Sequence, residues 1–371
     1  MNNKIHVLQV INSLRRGGAE TFLMNLFRQI DREHFRFSFL LNQDGGTYLD
    51  WVKEEGADVY FIPPRNQGIG NYIQNLDFFF ASHQGAFDVV HQHLSSLTSI
   101  EPLMVARKYG VPIRIVHSHS SFPEGKMHRL LHYLNQLSVV YAANQYMACS
   151  ENSKKWTYKI PLTRHKTQIV KNGIETELYK YNRTTRLRLR RELGFNEEVV
   201  VGHVGRFHEV KNHQFLLQVF KEFLKIEPRA RLLLVGEGEL LPSIQEKVHA
   251  YKMDEVVHFV GLRDDVSSLL QAMDALVFPS IKEGLPLSLI EAQCAGLSVV
   301  ASSSIDRQAK LSDRFFFQSL NCTPRVWAET LKDALRYDLI DREKGIDIVR
   351  KNGFDIKTTV RMLEKHYTKS N

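Results

Sequence analysis

The sequence predicts an α/β protein built from two Rossmann-like, doubly wound parallel-sheet domains facing across a cleft. Three observations carry this expectation. Short apolar runs of strand type alternate with longer segments of helical period along the whole chain. The alternation pauses in a polar stretch after Asn172 and Gly173 and then restarts. A chain of 371 residues also exceeds what one core comfortably serves.

In the first half, Lys4 to Ile11, Phe35 to Leu41, Asp58 to Ile62, Phe87 to His91, Ile113 to His117 and Gln145 to Cys149 read as strands, with helices in the gaps. The first run is too short for a signal-peptide core and meets Arg15, Arg16, Gly17 and Gly18 at once, so a buried strand is expected. Tyr179 to Arg191 is polar with several arginines, and the linker is placed there. The second series runs through Val199 to Val204, Arg231 to Val235, Val256 to Val260, Ala275 to Phe278 and Ser298 to Ala301. Phe354 to Tyr367 has helical spacing through Ile356, Val360, Leu363 and Tyr367. The expected domains are 1–175 and 176–353, with a terminal helix over 354–371 that caps either one, the first if it crosses back.

Composition narrows the class. Cys149, Cys294 and Cys322 stand far apart with no Cys-x-x-Cys spacing, which favours a reducing, cytoplasmic compartment over a disulfide framework or zinc site. No uncharged apolar run reaches the length of a membrane span. The net charge of +8 suits nucleic acid, anionic lipid or phosphorylated small molecules. It is spread along the chain and no recognition motif accompanies it, so no nucleic-acid partner is expected.

Four segments carry chemistry. After the first strand, Gly17, Gly18, Ala19 and Glu20 lead into a helix, where glycines let a phosphate approach bare amides; a plain connecting turn would look alike. The spacing is neither Gly-x-Gly-x-x-Gly nor a P-loop. His117, Ser118, His119, Ser120 and Ser121 close one strand, and His91 and His93 close another, where open α/β sheets place ligands. Either substrate contact or ordinary loop histidines fits, and no metal is expected because no carboxylate or cysteine stands at ligand spacing. Gly205, Arg206 and Lys211 follow a strand, and two cations so placed clamp a diphosphate or merely form a solvated basic loop. Finally, Pro286 suits a helix start, so Glu283 lies before the helix and Glu291 inside it, with Gly284, Leu285 and Leu287 offering free amides to an anion. A surface helix with incidental acids is the alternative.

Together, Gly17-Gly18-Ala19-Glu20, His117-Ser118-His119, Gly205-Arg206 to Lys211-Asn212-His213 and the Glu283 to Glu291 pair resemble glycosyltransferase family 4, most closely its bacterial exopolysaccharide-biosynthesis members with the GT-B fold. The resemblance implies a retaining hexosyl- or N-acetylhexosaminyl-transferase that uses a nucleotide-sugar, a UDP-sugar, as substrate and needs no cofactor. It implies that Arg206 and Lys211 hold the donor diphosphate, Glu283 binds the transferred sugar, Glu291 binds the ribose, Gly18 approaches the phosphate, and His119 or His117 contacts the donor sugar. A glycan or lipid-linked acceptor is implied. Separately, Lys126 to Leu137 sets Lys126, His128 and Arg129 beside Leu130, Leu131 and Leu134, which fits either peripheral contact at the inner face of the plasma membrane or an ordinary helix whose apolar face meets the core. No Asp-x-Asp is present to hold a divalent ion, so metal independence is expected. The sequence departs from the family pattern at Ser302-Ser303-Ser304-Ile305-Asp306, where such proteins often carry a glycine pair and an acid. A sugar-nucleotide epimerase of the same fold, which would turn over without an acceptor, is the nearest rival.

Overall fold

The computed structural model describes residues 4–15, 17–119, 126–336 and 339–368. The chain divides into two compact units, one formed by Met1–Gly173 with Ile356–Asn371 and the other by Ile174–Asp355.

The first unit holds a parallel sheet of β1 (Ile5–Ile11), β2 (Phe35–Leu41), β3 (Asp58–Phe61), β4 (Val89–Leu94), β5 (Ile113–Ser118), β6 (Gln145–Ala148) and β7 (Gln168–Ile169). Their order is β3-β2-β1-β4-β5-β6-β7. Side chains alternate between two cores. Val7 and Ile11 face one, with Phe22 and Phe27, while Leu8 and Val10 face the other, with Phe79 and Phe80. The order reverses between β1 and β4, the switch point where this architecture opens a crevice beyond the strand carboxyl ends.

The C-terminal helix Ile356–Thr368 belongs to this unit. Ile356, Val360, Leu363 and Tyr367 form its buried stripe, and the Tyr367 ring packs on Phe35 and Phe37. Gly173 lies against this helix, where an added Cβ would stand 2.7 Å from Ile356 Cα.

The second unit holds β8 (Val200–Val204), β9 (Arg231–Val235), β10 (Val257–Phe259), β11 (Ala275–Phe278), β12 (Ser298–Ser302) and β13 (Phe315–Gln318), in the order β10-β9-β8-β11-β12-β13 and again parallel. Two cores flank this sheet as well.

Three expectations need correction. β4 begins two residues later than the apolar pattern suggests, because Val89 rather than Phe87 starts the ladder with β1 and β5; His91 and His93 therefore lie inside the strand. β7 and β13 escaped the pattern, the first being two residues long and the second a short edge. The stretch Tyr179 to Arg191 is no linker. It contains the helix Arg183–Glu192, whose Arg186 and Arg190 are buried and bind Asp274 at 2.5 and 3.2 Å.

Those arginines, with Arg342, also donate to the last carbonyls of the helix Val266–Ala272 and its exit, including Leu270, Ala272 and Met273. They satisfy orphan carbonyls and the negative helix end. Burial pushes the Arg342 guanidinium down to about 9. Arginine-rich composition read as solvent-facing, but here it closes a helix.

Candidate functional site

In the second unit, β8 runs into a loop held by backbone pairing to the segment after β9. Gly205 N–H donates to the Val235 carbonyl, and Phe207 N–H to the Glu237 carbonyl. The contact is close enough to require glycine on the facing side. Gly236 has φ +139° and Gly238 has φ +157°, and a Cβ on them would meet Gly205 O at 2.2 Å and Phe207 O at 2.4 Å. The Gly-Glu-Gly after β9 was the available signal, and sequence reasoning passed over it.

This cradle presents Arg206, whose side chain is 71% exposed and pairs with Glu239 at 3.2 Å. Five residues on, Lys211 Nζ lies 2.7 Å from Glu283 Oε1 and 4.5 Å from the centre of the Phe278 ring. The structure therefore joins two of the expected site residues directly. Asn212, at φ 55°, turns the chain into the helix His213–Leu224, and its amide donates to the Pro279 carbonyl. Ile281 N–H donates to the Val210 carbonyl, so the loops bearing Lys211 and Glu283 are tied by backbone as well. Beneath them His213 stacks on Phe207 at 4.1 Å, and burial holds its ring down at about 4.

The helix Leu287–Cys294 starts just after Pro286, with Gly284 and the half-buried Leu285 and Leu287 at its entry. Glu291 lies one turn inside and faces Tyr179 rather than Glu283: its Oε1 accepts from the tyrosine hydroxyl at 2.9 Å. Burial raises its carboxyl to about 7, a shift that the tyrosine hydrogen bond opposes. Asp306 N–H approaches the Gly284 carbonyl at 3.4 Å, which brings the divergent serine-rich loop against the same turn.

In the first unit the turn after β1 ends at Gly17, and the helix Gly18–Gln29 follows. A Cβ at Gly17 would stand 2.2 Å from the Glu20 carboxylate, whereas Gly18 faces open space. Phe22 on that helix packs against the rings of His93, His117 and His119.

The four histidines form one chain of contacts. His119 Nε2 meets His93 Nδ1 at 2.9 Å, and His93 Nε2 donates to Gln9 Oε1 at 2.8 Å. Gln9 Nε2 points to the Tyr367 hydroxyl at 3.4 Å, which meets His91 Nδ1 at 2.8 Å, and His91 Nε2 meets His117 Nδ1 at 3.2 Å. Burial keeps all four rings below the ordinary range, His119 at about 4. Nitrogens of His91, His93 and His117 lie within 4.8 Å of one another, near enough for an ion. Both nitrogens of His91 and His93 are engaged by neighbouring rings, Gln9 and Tyr367, whereas His117 uses Nδ1 alone and its Nε2 is buried without a partner.

His117 is fully enclosed, while His119, just past the strand, is partly accessible and lies beside Asn172. Gln9, Phe22 and Tyr367, which hold this cluster, were read from sequence only as strand and helix residues. Arg16, Ser120 and Ser121, and the side chain of Lys126, lie outside the described residues.

Comparison with known proteins places this geometry. Residues 16–178 match the family described as Glycosyltransferase Family 4, and residues 198–333 match the domain described as Glycosyl transferases group 1. The chain is 30% identical to the putative glycosyltransferase EpsF of Bacillus subtilis, over 97% of this chain and 96% of that protein. It is 24% identical to a UDP-Gal:alpha-D-GlcNAc-diphosphoundecaprenol alpha-1,3-galactosyltransferase of Escherichia coli, over 81% of this chain and 80% of the other. The structure of Anabaena HepE in complex with UDP-glucose superposes with a TM-score of 0.77 at 19% identity, covering 97% of this chain and 98% of that one. The loop and sheet geometry, the family matches and the full-length relative agree: the chain belongs to glycosyltransferase family 4 and has the GT-B fold.

Proposed function

We propose that the protein transfers a sugar from a nucleotide-sugar donor, a UDP-sugar, to a glycan or lipid-linked acceptor in extracellular polysaccharide biosynthesis, with retention of configuration and without a metal ion or other cofactor. The observation that carries this reading is the loop pair in the second unit, where glycine backbones hold an exposed Arg206 beside a Lys211–Glu283 contact. A UDP-galactose transferase and a UDP-glucose complex among the relatives support the choice of nucleotide.

In this reading Arg206 and Lys211 bind the donor diphosphate, and Gly205 lets its phosphates approach the main chain. Cleavage of the sugar bond builds negative charge on the leaving diphosphate, which preplaced cations and amides stabilise without reorganising. That is the contribution a divalent ion would otherwise make. Glu283 exchanges its lysine contact for a hydroxyl of the transferred sugar, and the amides at Gly284, Leu285 and Leu287 face the anion. Glu291, oriented by Tyr179, accepts from ribose hydroxyls.

In the first unit Gly17 and Gly18 give the phosphate access to the start of a helix. His119 contacts the donor sugar, and His117 supports it through the buried ring chain. Among the described residues no carboxylate stands out as a covalent nucleophile, and in this reading the reaction proceeds on one face, the leaving phosphate taking the acceptor proton.

The acceptor binds the first unit, which also contacts the membrane. The helix Lys126–Ala142 turns His132, Gln136 and Val139 inward and leaves Leu130, Tyr133, Leu134, Leu137 and Tyr141 on one exposed stripe. Arg129 stands beside the stripe, and Arg107 covers the Tyr141 ring. Apolar side chains with a cationic border suit an anionic bilayer surface at the inner face of the plasma membrane. No helix among the described residues is long and apolar enough to cross a membrane.

Thermal shift against a panel of nucleotides and nucleotide-sugars tests the donor assignment. A saturating UDP-sugar should stabilise by about 2.7 kcal/mol at 100 times its dissociation constant. Stabilisation by ADP- or GDP-sugars alone would refute the UDP assignment.

A further inference from the structure

We propose that the second unit carries a binding site for a phosphomonoester, a phosphate joined to an uncharged group, in an arginine-lined cavity at the amino ends of its strands. This goes beyond the donor reading above and does not depend on it.

The cavity measures about 440 Å³, within the range of about 300–1,000 Å³ that small-molecule sites occupy. Its walls include Val199, Asp274 and Ser298, which stand at the starts of β8, β11 and β12. The loops bearing Arg206, Lys211 and Glu283 leave the opposite ends of β8 and β11, and β8 alone spans about 16 Å. The cavity is therefore separate from the proposed donor site.

Sequence spacing concentrates charge there. Arg183, Arg186 and Arg190 occupy positions i, i+3 and i+7 of one helix and so share a face. Arg314 and Arg342, from later in the chain, line the same cavity. Among the described lining residues these five arginines stand against three carboxylates, Asp274, Glu197 and Glu198. Asp274 is shared by Arg186 and Arg190, Glu198 pairs at 3.4 Å with Arg231, and Glu197 is exposed to water.

Arg342 is the least compensated of the five. It is 2% exposed, and its N–H groups donate to the carbonyls of Ala295, Met273 and Leu270 while its guanidinium lies 4.4 Å from the centre of the Tyr181 ring. Among the described residues no carboxylate pairs with it. Carbonyl dipoles satisfy its hydrogen bonds but leave its net charge in place. Burial, with repulsion from Arg186, lowers the group to about 9, a cost that an anion in the cavity would relieve. Arg183 supplies the free donors. It lines the cavity, is exposed and makes no ion pair among the described residues, so its fork is open to two phosphate oxygens.

The lining sets the class of ligand. A dianion matches the excess of arginine over carboxylate, and a neutral molecule would leave it uncompensated. The walls also include Tyr181, Leu187 and Leu335, on which an uncharged group attached to the phosphate can pack.

Isothermal titration calorimetry on the full-length protein in phosphate-free buffer tests this, with glucose 1-phosphate, orthophosphate and glucose as probes. Glucose 1-phosphate should bind more tightly than orthophosphate, and glucose should not bind at this site. Arg183→Glu puts an acid at the first helical residue, which the helix dipole favours, so the melting temperature should hold. Its affinity for glucose 1-phosphate should fall about ten-fold or more, as loss of a hydrogen bond to a charged group implies. Combined Arg206→Ala and Lys211→Ala, which disables the proposed donor loop, should leave that binding in place. Undiminished binding in a folded Arg183→Glu protein, or its loss in a folded Arg206→Ala/Lys211→Ala protein, would overturn the proposal. Orthophosphate binding as tightly as the ester would overturn the assignment of a phosphomonoester. If Arg183→Glu fails to fold, Arg183→Gln carries the same expectation and the same refutation.

Discussion

Glu291 shows how a residue proposed to bind the donor is set against the stability of its own fold. Its carboxyl titrates at about 7 because burial disfavours the charge, although Tyr179 donates to it. In its proposed role the ionised carboxylate accepts from ribose hydroxyls; protonated, it would lose part of that capacity. The Michaelis constant for donor should therefore rise as pH falls from 8 to 6, and Glu291→Gln should flatten that dependence. The sign for stability is opposite. An acid whose folded value lies above its unfolded one destabilises the fold at pH above that folded value, and the cost disappears as pH falls below the unfolded value. Glu291→Gln should accordingly raise the melting temperature of the ligand-free protein at pH 8, and a lower melting temperature would contradict the burial cost inferred for this group. Arg206 differs in kind. It is exposed, and the diphosphate proposed as its partner gains charge during reaction, so its effect is expected in the transition state. Glu291→Gln should mainly raise the donor Michaelis constant. Arg206→Ala should lower kcat by about 100- to 1,000-fold. Near-normal kcat for Arg206→Ala at saturating donor would refute the leaving-group role.

The glycines after β9 and the exposed helix of the first unit make different demands on sequence. Gly236 and Gly238 hold φ values that side chains rarely adopt, and they lie under the Arg206 loop. Gly236→Ala should cost about 1–3 kcal/mol of stability from backbone strain and lower kcat more than it changes donor affinity at equilibrium; a variant with full kcat would show that the cradle does not position Arg206. The helix Lys126–Ala142 places polar His132 and Gln136 inside and leucines outside. Sequence periodicity identified an amphipathic helix there, but it could not say which stripe faces the core, because the inward residues form hydrogen bonds that only the fold supplies. His132 accepts from Leu97 N–H and stacks on Trp156. The full-length protein should co-float with anionic vesicles at low salt, and Leu134→Glu with Leu137→Glu should reduce the bound fraction at least ten-fold. Equal flotation of that double variant would assign membrane contact to another surface.

At the scale of the molecule, strand and helix alternation was legible because buried parallel strands are near-continuous apolar runs. The helix over Ile356 to Tyr367 was legible from its spacing, yet the unit it joins was not: Phe35 and Phe37, hundreds of residues away, complete its packing. The misplaced linker has the same origin. Arg186 and Arg190 look solvent-bound until Asp274 and the end of the helix Val266–Ala272 are brought beside them. The Glu283 and Lys211 loops were each visible in sequence, whereas their 2.7 Å contact depends on β8 and β11 being neighbours. The proposed function rests on one chemical claim, that arginine, lysine and backbone amides supply the charge stabilisation a divalent ion would otherwise bring to the departing diphosphate. Steady-state release of UDP from a UDP-sugar, measured with acceptor in excess EDTA, tests it most directly: turnover should match that in chelator-free buffer, and loss of turnover that magnesium or manganese restores would contradict it.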